Sequence, residues 1–121
     1  MKSFFFFSHN KNKTKEIIKY FEDANINILS LKDFPIISEP KETGSSFNEN
    51  AKIKSECGYK KTNLPCFADD SGICIDALNN LPGINSKKYL EECGSKEEAF
   101  KKIINETKKF SNNKAYFKTA I

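Results

Sequence analysis

Arginine and tryptophan are absent from the 121 residues, and histidine occurs once, at His9. All twenty basic side chains are therefore lysines. Any phosphate contact made by this chain is to a point charge, not to a bidentate guanidinium fork. A long basic tract is also missing. The lysines are scattered and mostly stand beside acids, leaving a net charge of +4. That distribution does not indicate a nucleic-acid groove, whereas a small anionic ligand is compatible with it. No apolar run approaches the roughly 20 residues that a membrane helix needs. The run Phe4 to Phe7 is too short for the core of a signal peptide. The expectation is a cytoplasmic protein with neither a membrane nor a nucleic-acid partner. Cys57, Cys66, Cys74 and Cys93 form no CxxC pair and have no histidine at zinc-like spacing. They are expected as reduced thiols packed as small hydrophobes.

What is present reads as alternating strands and helices. The aromatic run Phe4 to Phe7, closed by Ser8-His9-Asn10, reads as a buried strand. From Lys13 onward Ile17, Tyr20, Phe21 and Ala24 recur at helical spacing. Ile26 to Leu31 alternates loosely and reads as a second strand, completing a βαβ unit. Pro35, Pro40 and Gly44 punctuate a loop. Ser46-Phe47-Asn48-Glu49 matches a capping box and predicts a helix from about Phe47 that stops near Gly58. Cys66-Phe67-Ala68 and Ile73-Cys74-Ile75 flank Asp69-Asp70-Ser71-Gly72, which reads as a hairpin or sharp bend with acids at its tip. Leu81-Pro82-Gly83 is a turn. A second capping box, Ser95 to Glu98, precedes one helical face made of Ala99, Phe100, Ile103, Ile104, Thr107 and Phe110, and Ser111-Asn112-Asn113 breaks that helix. Ala115 to Ile121 alternates as a final strand.

Three stretches carry chemistry. Ser8-His9-Asn10-Lys11-Asn12-Lys13 lies between a buried strand and a helix start, where exposed amides and the helix dipole favour a phosphate. Ser8 and Asn10 supply side-chain donors there, and Lys11 and Lys13 supply charge. The plain alternative is a polar connector, since the stretch lacks the glycines of a Walker loop. Glu42-Thr43-Gly44 and Asp69-Asp70-Ser71-Gly72 bring three acids on two loops, a donor set that suits magnesium, which keeps waters and phosphate oxygens as its other ligands. Each alone is an ordinary turn. Two adjacent aspartates between apolar strands, however, are costly unless a cation or hydrogen-bond donors compensate. Asn50 and Lys54 stand four apart on one helical face, which directs Lys54 toward a phosphate or toward solvent. His9, with no second ligand of its type, reads as a loop residue.

In this order and register the motifs resemble the inosine triphosphatase family, the purine nucleoside triphosphate pyrophosphatases of the RdgB type. The matching stretches are Ser8-x-Asn10-x-x-Lys13 with Glu16, and Glu42-Thr43-Gly44-x-x-Phe47-x-x-Asn50-Ala51-x-x-Lys54. They continue with Ala68-Asp69-Asp70-Ser71-Gly72, Leu78, and Pro82-Gly83-x-x-Ser86-x-x-Tyr89. The resemblance implies an α/β fold with a long bent mixed sheet flanked by helices and a cleft between two lobes. It implies hydrolysis of ITP, dITP or XTP to the monophosphate and pyrophosphate with Mg2+, in a homodimer. It places Ser8, Asn10 and Lys13 on the triphosphate, with His9, Lys11 and Asn12 in the same loop. Lys54 and Ser71 contact the nucleotide, and Glu42 and Asp70 serve the metal, with Asp69 as a further candidate. Asp70 is also the base that activates water.

Three departures stand out. His9 and Asn12 occupy positions where glycine is common, and both types tolerate a left-handed backbone better than most. Lys88 replaces an expected arginine, which removes planar contacts there. The family's later base-reading motifs have no counterpart, so residues 1–121 are expected to be a single, incomplete domain truncated at its C-terminus. The rival readings are a Maf-like pyrophosphatase acting on other modified nucleotides and a non-catalytic nucleotide-binding fragment.

Overall fold

The computed structural model describes residues 1–121, which divide into two compact units. One comprises residues 1–69 with Ile121, the other residues 70–120.

The first unit is a parallel sheet with its helices. Strand β1 (Lys2–Phe6) is central in the order β2-β1-β3, between β2 (Ile26–Leu29) and β3 (Cys66–Phe67), and pairs in parallel with both. Helix α1 (Lys11–Tyr20) makes the β1-to-β2 crossover, so the expected βαβ unit is present. A central parallel strand is covered on both faces, which is why its sequence is continuously apolar rather than alternating. Phe5, Phe6 and Phe7 are all buried. Phe5 and Phe7 stack with ring centroids 5.5 Å apart and, with Ala68, form a core completed by Leu31, Phe34, Ile37, Cys57, Leu64 and Cys66. Strand β2 is shorter than expected. It ends at Leu29, and a 3₁₀ turn (Leu31–Asp33) follows, entered through Ser30 and Asp33. The Asp33 carboxylate accepts from the Ser30 amide at 2.8 Å.

Helix α2 (Phe47–Thr62) starts where the capping box predicts, with the Ser46 side chain accepting from the Glu49 amide. It does not stop at Gly58. That glycine is buried within the helix because no Cβ fits there: one would meet Cys66 Sγ and lie 3.0 Å from the Phe7 ring. Asn63, left-handed at φ 57°, supplies the actual C-terminal cap.

The second unit is an antiparallel sheet in the order β5-β4-β6, formed by β4 (Asp70–Ile75), β5 (Leu81–Pro82) and β6 (Ala115–Ala120). The hairpin expected around Asp69-Asp70-Ser71-Gly72 is not formed. β3 pairs with β1, whereas β4 pairs with β5 and β6, so the two apolar runs enter different sheets. Helix α3 (Ser86–Cys93), for which the sequence carries no expectation above, precedes α4 (Lys96–Thr107), capped by Ser95 as expected. Of the predicted α4 face Ala99 is fully buried, while Phe100, Ile104 and Phe110 remain about half exposed. The α/β class with mixed strand directions and flanking helices is as expected. Within this chain the strands form one parallel and one antiparallel sheet of three strands each.

Candidate functional site

The turn after β1 is organised by its own side chains. Asn10 is the N-cap of α1, and its Oδ1 accepts from the amides of Asn12 (3.0 Å) and Lys13 (3.1 Å). Ser8 Oγ accepts from the Asn10 amide at 3.1 Å. This narrows the expected anion cradle, because two of the helix's first amides are already satisfied within the turn. The Asn10 carbonyl side is an acceptor, leaving its amide nitrogen as the donor for a ligand. His9 is fastened sideways. Its Nε2 donates to the Ile37 carbonyl at 3.0 Å, and Nδ1 lies 4.0 Å from Glu39 Oε1. Neither His9 nor Asn12 adopts the left-handed backbone that a glycine there suggested. The non-glycine residues with positive φ are Asn63, Asn79 and Asn80. Asn12 instead sits in the first turn of α1, where ordinary helical geometry suits it. Lys11 and Asn12 are exposed on that turn, and Lys13 is half-buried.

Lys13 is not free in the turn. Its Nζ lies 2.6 Å from Asp69 Oδ2, with the lysine side chain 35% exposed and the aspartate 10%. A second pair of the same kind joins the acidic loop to α2. Lys54 Nζ lies 3.0 Å from Glu42 Oε1, with exposures of 14% and 23%. Fully exposed ion pairs contribute about 0–1 kcal/mol. These two are partly desolvated, so water and salt screen them less.

The Glu42 loop is pinned to α2 by residues beyond the ion pair. Asn50, 1% exposed, accepts from the Gly44 amide through Oδ1 at 2.8 Å. Glu49 accepts from the Ser45 amide at 2.8 Å. The approach is close enough that a Cβ on Gly44 would lie 2.6 Å from Glu49 Cβ and 2.7 Å from Asn50 Oδ1. Asn50 and Lys54, one helical turn apart, therefore hold Gly44 and Glu42 in place. Their common helical face is legible in the sequence, whereas the clamp by Asn50 is not. The signal was a buried-type polar residue inside a helix, four residues before the lysine.

Asp69 and Asp70 are buried, at 7% and 6% exposure. Asp69 ends the first unit, and Asp70 opens β4 in the second. Ser71 in β4 shares a hydrogen bond with Thr119 of β6, Oγ to Oγ1 at 2.9 Å. Ser86, from the Pro-Gly-x-x-Ser motif, is structural here. Its Oγ donates to the Gly83 carbonyl at 2.6 Å and accepts from the Ile73 amide at 3.0 Å, locking the turn to β4. Gly83, at φ +53°, needs to be glycine or a similarly permissive residue.

All four cysteines are free thiols. Burial pushes the Cys66 thiol up to about 11, so it is protonated at neutral pH and is no nucleophile. No three His, Cys, Asp or Glu side chains converge as a ready-made metal cage. The acids singled out in the sequence, Glu42 and Asp69 in the first unit and Asp70 in the second, are hard oxygen donors. That suits Mg2+, which prefers few carboxylates together with water and phosphate oxygens, and does not suit a zinc centre. A cavity of about 600 Å³ in the second unit, lined by Leu81, Pro82, Tyr89, Ile103 and Phe110 among others, contains none of these residues. No helix is long and apolar enough to cross a membrane.

The sequence pattern of the Ham1 family matches residues 4–121. A dITP/XTP pyrophosphatase of Leptospira interrogans is 38% identical over 114 residues, covering 94% of this chain and 58% of the relative. One from Lactococcus lactis is 39% identical over 99 residues, covering 82% of this chain and 49% of the relative. The solved structure of a HAM1 protein from Coxiella burnetii superposes with a TM-score of 0.89 at 33% identity, covering 98% of this chain and 61% of that chain. The Staphylococcus aureus Ham1 protein gives 0.83 at 33% identity, covering 98% of this chain and 60% of that chain. The chain spans about half the length of the curated relatives it matches.

Proposed function

Because the chain belongs to the Ham1 family, we propose that it carries the triphosphate- and cation-binding half of an enzyme that hydrolyses ITP, dITP and XTP to the monophosphate and pyrophosphate. The observation that supports this best is the pairing of residues. The turn capped by Asn10 and the loop clamped by Asn50 each present one lysine against one carboxylate, Lys13 with Asp69 and Lys54 with Glu42. Such a set can meet a polyanion and its counter-cation together. The relatives' name, dITP/XTP pyrophosphatase, supplies the substrate class.

In this reading Lys13 and Lys54 bind phosphate oxygens as charge-assisted donors. The amide of Asn10 and the hydroxyls of Ser8 and Ser71 orient the ligand, and the exposed Lys11 and Asn12 line the entry to the turn. His9 contributes by fixing the turn through Ile37. By the family resemblance Glu42 and Asp70, with Asp69 as a further candidate, would hold Mg2+, which would supply charge neutralisation at the phosphates. The Asp70 carboxylate accepts the proton of the attacking water. The bond formed joins the water oxygen to the α-phosphorus. The bond broken is the α–β bridge, and pyrophosphate leaves with its electron pair. The enzyme works as a homodimer on the cytoplasmic nucleotide pool.

The test compares pyrophosphate release from ITP, XTP and dITP with release from ATP, GTP and a 5-methylated pyrimidine triphosphate, at fixed Mg2+. Selective release from the first group is expected. Preference for the modified pyrimidine would favour a Maf-like enzyme, and binding without turnover a non-catalytic nucleotide-binding chain. Sedimentation velocity tests the dimer.

A further inference from the structure

The groups assigned to opposite ligands are bound to each other. Lys13 and Lys54 are the phosphate ligands of the proposed reaction, and Asp69 and Glu42 are carboxylates for the cation. Yet Nζ lies 2.6 Å from the carboxylate oxygen in one pair and 3.0 Å in the other. An ammonium at that distance occupies a carboxylate lone pair and repels a divalent cation. The carboxylate in turn holds the ammonium and repels a phosphate oxygen.

We infer that Lys13 and Lys54 are exchangeable partners of Asp69 and Glu42, each pair keeping out the ligand of the other member until cation and triphosphate arrive together. The inference rests on the triphosphate reading above and adds to it a rule of binding. The physical reason is a charge count. If the cation alone takes the carboxylate, a partly buried ammonium loses its counter-ion. If the triphosphate alone takes Lys54, the partly buried Glu42 carboxylate loses its counter-ion. Leaving one member of such a pair uncompensated is costly. When both ligands arrive, each ammonium meets a phosphate oxygen and each carboxylate meets the cation, and no charge is left alone. The cost of separating the pair is then met once by two ligands, which is positive coupling between them and reciprocal by necessity. The fixed framework makes the exchange local. Asn10 holds the turn of Lys13, and Asn50 holds the loop of Glu42, whichever partners the charges have.

The test uses Mn2+, a hard cation visible by electron paramagnetic resonance, and inorganic tripolyphosphate, each alone and then together. Wild type is expected to bind the two together more tightly than either alone. Lys54→Met and Lys13→Met should bind bare Mn2+ tighter than wild type, by about tenfold, within the usual range for coupled sites, while losing affinity for tripolyphosphate. Glu42→Gln, nearly isosteric, should bind cation-free tripolyphosphate tighter than wild type and Mn2+ more weakly. A lysine that merely binds phosphate, or merely supports the fold, would not tighten Mn2+. Unchanged or weaker Mn2+ binding in the lysine variants, with tripolyphosphate binding in Glu42→Gln no tighter, overturns the exchange and leaves the proposed function standing. Failure of wild type to bind the two ligands even together overturns both.

Discussion

At the residue scale Asp70 and the lysines' partners carry the proposed chemistry. Asp70→Asn keeps the shape of a side chain only 6% exposed and removes its ability to accept a proton. General-base contributions are typically about 10²–10⁴-fold. Pyrophosphate release should therefore fall by at least about a hundredfold, while the affinity for an α,β-methylene triphosphate stays within about tenfold. A wild-type rate in this variant would remove Asp70 from the chemistry. Cys66 offers an independent check on the described burial. Its thiol, ordinarily near 9, is held up to about 11 by desolvation. A folded value above the unfolded one favours the protonated fold at neutral pH, and that contribution is lost as pH rises through about 11. Alkylation of Cys66 by iodoacetamide, followed by peptide mass spectrometry across pH 8–11.5, should have its midpoint near 11. A midpoint near 9 would mean that the thiol is solvated.

At the scale of elements, Gly58 separates two opposed effects. Glycine-to-alanine in a helix interior ordinarily stabilises by about 0.5–1 kcal/mol. Here a Cβ would meet Cys66 Sγ and approach the Phe7 and Phe5 rings at 3.0 and 3.2 Å, and overpacking costs about 1–3 kcal/mol. Crowding should win. Gly58→Ala is expected to lower unfolding stability in urea by about 1–2 kcal/mol, and a gain would show that α2 can move off β3. The same glycine explains where the sequence misled. A glycine near the end of a periodic pattern looks like a helix stop, but only tertiary packing reveals that it marks a close approach. Capping boxes were legible at Ser46 and Ser95 because a cap is a local hydrogen-bond exchange. The buried β1 was legible because four consecutive Phe have no exposed alternative. The acidic stretch was not, because whether Cys66–Phe67 and Asp70–Ile75 pair with each other or with β1 and β6 depends on residues far away in sequence. The candidate site residues could be listed from the motifs alone. Their mutual pairing and the clamp by Asn50 were hidden, since residues 13 and 69, or 44 and 50, meet only in the folded chain.

At the scale of the whole molecule, residues 1–69 with Ile121 carry the paired lysines and carboxylates on the helices and loops around a parallel sheet, and residues 70–120 open with Asp70 on an antiparallel one. The matched residues make up 58% and 49% of two curated relatives, so turnover and base choice belong to a larger framework. Magnesium removal tests that framework simply. Chelation should abolish turnover and also weaken triphosphate binding, because the lysines then return to Glu42 and Asp69. Binding that is indifferent to chelation would separate the cation from the phosphate groups. The central claim, attack of water on the α-phosphorus, is tested most directly by hydrolysing ITP in ¹⁸O-labelled water and analysing both products by mass spectrometry. One labelled oxygen is expected in the inosine monophosphate, with unlabelled pyrophosphate. Label in pyrophosphate, or release of labelled orthophosphate with inosine diphosphate, would contradict it.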